Sequence, residues 1–306
     1  SRQGSPPTTG QAFPALPRTA TVTAATRTLL AALAPVKPTF MLPAVALALA
    51  GAALAPTVSL PLAAVHAAAV GAALYTAHAV DEYVDAHVRG EHDPLLSARA
   101  ATAAAVGGSL AFAALAAFLW AAGARGVVAA TLPLWALAVL HAPLLDTHPL
   151  AVTADYPVGV ALAFLGGSLA QAGRLAPGVV AVACVLAVSL SALKVSIDRL
   201  DSDFDRTVGK RTLPVLLGDA ASARVGAAVH VVAAALVVVC VLAAVLPALA
   251  LAAAGVAVLD AILAVAVPPR WSVRAQMALS YPFTAALLAA QCVGGECAAA
   301  ALVGLA

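Results

Sequence analysis

Residues 177–205 read PGVVAVACVLAVSLSALKVSIDRLDSDFD. Up to position 197 the stretch holds one charge, Lys194, and a helix of about 20 apolar residues crosses a bilayer core about 30 Å thick. It therefore reads as a membrane-spanning helix running directly into four acids, Asp198, Asp201, Asp203 and Asp205. The rest of the chain repeats the apolar half of this pattern. Of its 306 residues 63% are hydrophobic and only 10% charged, with a mean hydropathy of +1.01. A soluble domain carries about 25% charged residues, so these few charges cannot coat a water-soluble globule. The same hydrophobicity excludes disorder. A net charge of +2, without a basic tract interleaved with aromatics, excludes nucleic acid as a partner.

The same length rule gives nine candidate spans, at 38–55, 60–80, 98–121, 126–145, 156–173, 177–197, 222–245, 248–267 and 276–300. Pro56, Pro61, Gly126, Pro157, Pro177, Pro247 and the Pro268-Pro269 pair punctuate the joints. Runs this long and continuous exclude a β-barrel. The expected fold is all-α: a polytopic membrane protein with nine transmembrane helices around a central cavity, occupying residues 36–306. Residues 1–35 carry five prolines and scattered arginines, without the apolar core and cleavage site of a signal peptide. They are expected to form a mobile or interfacial tail. Cys184 and Cys240 sit in apolar runs, and Cys292 with Cys297 matches no zinc-site spacing.

Sidedness follows from counting Lys and Arg. With a cytoplasmic N-terminus, fourteen of the sixteen fall on that side, and only Arg125 and Arg174 fall on the other. The expected location is a cell or organelle membrane, crossed many times, with the N-terminus facing the cytoplasm. Acids are distributed still less evenly. Segment 81–93, DEYVDAHVRGEHD, holds five of the fourteen, and 198–205 holds four. The clusters follow the second and sixth spans, so four crossings separate them and both face the cytoplasmic side. At about 100° per residue, Asp81 and Asp85 lie within about 40° on a helix. Asp198, Asp201 and Asp205 lie within about 60°, and Asp203 points away.

Carboxylates so arranged repel one another unless a cation sits between them. Acid clusters in loops are often merely solvated, but ionisable groups at membrane depth mark functional sites. An oxygen-only ligand set without a His/Cys framework favours a hard cation, Mg²⁺ above Ca²⁺, and Mg²⁺ typically joins a few carboxylates to substrate phosphates. Arg206, Lys210 and Arg211 follow the second cluster at once, and Lys194 lies one turn before Asp198. Such cations neutralise phosphate oxygens, although basic loops on this side also serve topology alone. Lys37, at the mouth of the first span, is a weaker member of this set.

At these residues the chain resembles the UbiA-type superfamily of intramembrane prenyltransferases. Segment 198–218, DRLDSDFDRTVGKRTLPVLLG, is similar to that family's DxxDxxxD motif followed by Gly-x-[Lys/Arg]-Thr-Leu-Pro-Val. The first motif, usually Asn-Asp-x-x-Asp-x-x-x-Asp, is matched by Asp81-Glu82-Tyr83-Val84-Asp85, with Arg89 where the last acid is expected. Lys37-Pro38 is similar to the basic-Pro pair that opens the family's first helix. The resemblance implies a nine-helix prenyltransferase domain that binds Mg²⁺ and an isoprenyl diphosphate donor, transfers the isoprenyl group to a lipophilic acceptor within the lipid bilayer, and releases diphosphate. By position, Asp81 and Asp85 would hold one metal and Asp198, Asp201 and Asp205 the other, with Asp85, Asp198 and Asp201 essential to catalysis. Lys37, Lys194, Arg206, Lys210 and Arg211 would contact diphosphate, and Glu82, His78 and Tyr83 form a second tier. The first motif is one acid short, and Asp146, His148 and Asp155 stand where relatives often carry basic residues.

Two other readings are open. A terpene cyclase of the same type would use the substrate's own alkene as nucleophile, although aromatics, at 5%, are scarce for holding cations. A cation or phosphate-compound transporter would need charges at midplane breaks, and the acids here cluster at helix ends. His66, His141 and His230 sit alone in apolar runs and are assigned no chemistry. Gly107-Gly108 and Gly166-Gly167 suit close helix packing. Asp260, alone in the eighth span, has no assigned role.

Overall fold

The computed structural model describes residues 33–293 and Cys297; the expected tail up to residue 32 and most of the segment after 293 lie outside them. Among the described residues every regular element is helical. Six helices form the first part: α1 (Pro38–Ala53), α2 (Leu60–Glu82), α3 (Ala98–Ala121), α4 (Arg125–Leu140), α5 (Pro149–Ala172) and α6 (Pro177–Thr207). A five-residue helix, α7 (Leu213–Leu217), leads into α8 (Asp219–Leu242), α9 (Leu251–Ala266) and α10 (Pro269–Cys292). Pro38, Pro149, Pro177 and Pro269 are the first residues of their helices, where the missing N–H would have no partner anyway.

Nine helices of 16 residues or more stand among the described residues, and six spans are long and apolar enough to cross a membrane. These are α2, α3, α5, α6, α8, and α9 taken with the turn Ala248–Ala250 before it; α1 and α4, 16 residues each, are apolar but shorter. The larger boundary differences have physical causes. α5 begins at Pro149, not at 156, because Pro157 does not break it. A proline inside a buried helix frees one carbonyl, and neighbouring groups absorb the loss. The carbonyl freed here is that of Thr153, and α5, packed against α1, α4 and α6, continues through Pro157 to Ala172. α6 runs ten residues past its expected end at 197, to Thr207, so the second acid cluster is helical throughout. The first cluster departs from α geometry: Tyr83–Arg89 continue α2 as a π-helix, which Gly90 ends at φ 67°. Such wider turns are frequent at functional sites.

α6 joins two halves of the bundle, packing against α5 on one side and against α8 and α10 on the other. The first half has a core around Val70, Phe112, Leu134 and Val160; the second is built around Val182, Leu186, Val237, Phe283 and Leu287. Arg199 ties the second half to the acidic end of α6. Its Nε donates to Asp219 Oδ1 at 2.7 Å and its Nη1 to Ala264 O at 2.9 Å, so it turns away from its neighbour Asp198. At its C-terminal end α10 carries Cys292, disulfide-bonded to Cys297.

Glycines set the spacing between α1 and α5. A Cβ on Gly51 would lie 2.0 Å from Phe164 O, and one on Gly167 would lie 1.9 Å from Ala48 O. Backbone cannot yield at such distances, so the helices would have to separate. Gly167→Ala is therefore expected to cost about 1–3 kcal/mol of stability. Gly107, with nothing within 4 Å of a built Cβ, tolerates Ala. Thermal unfolding in detergent measures both: a lower melting temperature for Gly167→Ala, and none for Gly107→Ala.

Candidate functional site

Both acid clusters line one cavity of about 170 Å³. From the first come Asp81 and Asp85, from the second Asp198, Asp201 and Asp205, with Lys194, Lys210, Thr212, His141 and Asp146 completing the wall. The two acid-bearing helix ends thus converge on one space at one end of the bundle. A second chamber of about 280 Å³ adjoins it and shares Asp81, His141 and Lys194. Its other walls are mainly apolar, including Phe40, Leu74, Leu134, Leu137, Leu190 and Leu193. A polar, anion-rich compartment therefore opens directly onto an apolar one.

The carboxylates are held from several sides. Lys194, one turn before Asp198, pairs with it. Thr212 Oγ1 donates to Asp205 Oδ2 at 3.1 Å, and the Lys210 backbone N–H donates to Asp205 O at 2.9 Å, which folds the 208–212 loop back over the cavity. Lys210 Nζ lies 2.9 Å from Glu91 Oε2 and 3.6 Å from Asp146 Oδ2. Burial disfavours its ammonium, but the bond to Glu91 and the charges of Asp146, Asp85 and Glu91 outweigh that and hold its pKa above the usual value. Two buried carboxylate oxygens, Asp81 Oδ1 and Asp198 Oδ2, have no hydrogen-bond partner. An orphaned anionic oxygen is costly in such surroundings, so the donor set fits a hard cation. Among the described residues no group of three His, Cys, Asp or Glu is placed to hold a metal ion; an ion here would have to complete its shell with water and phosphate oxygens.

Other expected residues are placed elsewhere. Arg206 faces solvent, 3.4 Å from the fully exposed Asp203; one residue past Asp205, it is turned about 100° away from it. Arg211 is exposed in the loop and does not line the cavity. Glu82 turns away to accept the backbone N–H groups of Leu95 and Leu96 at 2.7 and 3.1 Å, clamping the loop after the first cluster. Tyr83 is partly exposed against the His87 ring. Lys37 and His78 line the apolar chamber only, with His78 3.5 Å from the Asp81 carboxylate.

The residue most underestimated from sequence is His141, which lines both chambers. Its Nδ1 meets the Asp155 carboxylate, and Tyr156 beside it donates to Phe40 O at 2.8 Å. The signal available was the pair of lone acids, Asp146 and Asp155, flanking the α4–α5 connection. Asp260 is likewise explained only in part: it is buried with His230, Gln276 and Ser189 around a cavity of about 10 Å³, apart from this site.

An all-helical, multi-pass membrane protein with an acid-lined chamber opening onto an apolar one is the class defined by this fold and site. The profile of the UbiA prenyltransferase family matches residues 38–280, and the chain belongs to that family. Solved structures agree on the fold. A UbiA homologue from Aeropyrum pernix K1, in its apo form, superposes with a TM-score of 0.67 at 22% identity, covering 83% of this chain and 98% of that one. A UbiA homologue from Archaeoglobus fulgidus, bound to GPP and Mg²⁺, gives 0.64 at 16% identity, covering 87% and 99%. A digeranylgeranylglyceryl phosphate synthase structure gives 0.69 at 12% identity, again covering 87% and 99%. No curated protein matches by sequence.

His141 also makes the fold sensitive to pH. Burial opposes its imidazolium, but the Asp155 bond and the charges of Asp81, Asp155 and Asp146 prevail and raise its pKa from 6.5 to about 9. A pKa raised on folding stabilises fully below the unfolded value, and that stability is lost as pH rises through the folded one. The melting temperature, measured without divalent ions, is expected to fall between pH 6.5 and 9. In His141→Gln this part of the decline disappears.

Proposed function

We propose that this protein transfers an isoprenyl group from an isoprenyl diphosphate to a lipophilic acceptor within the membrane, with Mg²⁺ bound by Asp81, Asp85, Asp198, Asp201 and Asp205. The observation that carries this reading is the junction of the two chambers. An isoprenyl diphosphate is itself an anion joined to an apolar chain, and the two compartments meet at Asp81, His141 and Lys194 as those two parts meet in the molecule. Family membership and the GPP- and Mg²⁺-bound relative support the same assignment.

In this reaction the allylic C–O bond breaks, its electron pair leaves with diphosphate, and the acceptor forms the new bond to the allylic carbon and gives up a proton. Mg²⁺, when bound, would supply positive charge to the departing oxygens. Lys194 and Lys210 add fixed charges on the same wall, in place before the charge develops, which is where such groups act most strongly. Arg206 and Arg211, facing away, are left out of this set. The leucines and Phe40 of the second chamber keep water from the allylic carbon. The Asp-rich ends, Lys37 and the N-terminus lie on the cytoplasmic side in this reading, following the charge asymmetry.

Purified protein given radiolabelled geranylgeranyl diphosphate and mixed lipid acceptors should transfer label, and EDTA should abolish the transfer. Ion flux in liposomes without transfer would instead identify a transporter. Asp85→Asn and Asp201→Asn are each expected to lower turnover by at least about 100-fold with the fold retained. Asp203→Asn, on the exposed face, should stay near the starting activity. The reverse order of sensitivity would contradict the site.

A further inference from the structure

Arg89 makes the densest set of polar contacts around the chamber. Its Nη1 lies 2.5 Å from Asp146 Oδ2, 3.3 Å from Asp85 Oδ1 and 3.4 Å from Glu91 Oε1, while Nη2 donates to Ala142 O at 2.5 Å. Lys210 reaches two of the same carboxylates, Glu91 and Asp146. Three anions on this wall are therefore met by two cations of the chain itself. The guanidinium is largely buried and joins the end of α2 to the α4–α5 connection.

Around Asp81 and Asp198 the pairing is incomplete: Lys194 meets one oxygen of Asp198, and His78 lies 3.5 Å from Asp81 Oδ2. Each keeps a buried carboxylate oxygen without a partner, and Asp201 forms no ion pair among the described residues. One wall thus has two of its three negative charges balanced by Arg89 and Lys210, while the other keeps carboxylate oxygens that no side chain meets. A divalent ion on Asp85 would sit against a fixed guanidinium, and repulsion between like charges is poorly screened in a partly buried site.

We propose that Arg89 is a resident cation replacing a divalent ion on the Asp85 wall, so that the chamber takes a single Mg²⁺ together with diphosphate. The ion is held from the Asp81, Asp198 and Asp201 side, which takes Asp85 out of the ligand set proposed above and leaves it to hold Arg89, and Lys210 faces the diphosphate from the other. Arg89 acts through Asp85 and Asp146 and is a positioning residue. This inference rests on the proposed prenyl-transfer reading and deepens it by fixing the metal count.

The count is directly measurable. The protein is saturated with Mn²⁺ and a farnesyl thiolodiphosphate in phosphorus-free detergent and freed of unbound ligand by rapid gel filtration. Manganese and phosphorus are then counted by elemental mass spectrometry, and the Mn²⁺ spectrum is recorded by electron paramagnetic resonance. One manganese per bound analogue, with the sharp six-line signal of an isolated ion, is expected for the natural sequence and for Arg89→Lys. Arg89→Asp, which exchanges the cation for another carboxylate, should rise to two, with the broadening of a coupled pair. Two manganese ions in the natural sequence would overturn the inference while leaving prenyl transfer standing, even if Arg89→Asp does not fold. Retention of neither manganese nor analogue would count against both readings.

Discussion

Carboxylates gathered at the ends of apolar helices repel one another and have little water to screen them, so each needs a cation within reach. Much of the chamber answers that requirement. Lys194 pairs with Asp198 from one turn away, Arg89 and Lys210 share Asp85, Glu91 and Asp146, and Thr212 holds Asp205. The chain folds its loops to bring these partners in: the 208–212 loop closes back over α6, and Glu82 clamps the loop beyond the first cluster. What stays unanswered, at Asp81 Oδ1 and Asp198 Oδ2, is the place left for an ion from solution.

The apolar compartment derives from the same helices one or two turns deeper. α2, α4 and α6 contribute Leu74, Leu134 and Leu193 there, and contribute Asp81, His141 and Asp198 or Lys194 near their ends. A change from apolar to ionic side chains along one helix axis therefore builds both compartments in contact. This accounts for the convergence of fold among relatives of 12–22% identity: the compartments need a pattern along each helix, and few particular residues.

That pattern is why so much was readable from sequence. Runs of apolar residues located the helices, and the spacing of Asp198, Asp201 and Asp205 placed their shared face, with Asp203 on the other. The failures are equally specific. Pro157 was read as a break because a proline interrupts a helix in water, whereas α5 is held by its packing against α1, α4 and α6. Arg206 was assigned to the site by adjacency to Asp205, although one residue along a helix is about 100° of rotation. The π-helical turn after Glu82, and the roles of His141, Asp146 and Asp155, depend on how the α4–α5 connection meets α2 and α6 in space. No local periodicity encodes that meeting.

The most direct test of the account is a crystal structure with Mn²⁺ and a farnesyl thiolodiphosphate, using anomalous scattering to place manganese. The account predicts diphosphate in the acid-lined cavity and manganese between Asp81 and Asp198, Asp201, with the farnesyl chain running past Phe40 and Leu193. Diphosphate bound outside this cavity, or a manganese peak touching only one of the two acid clusters, would contradict it.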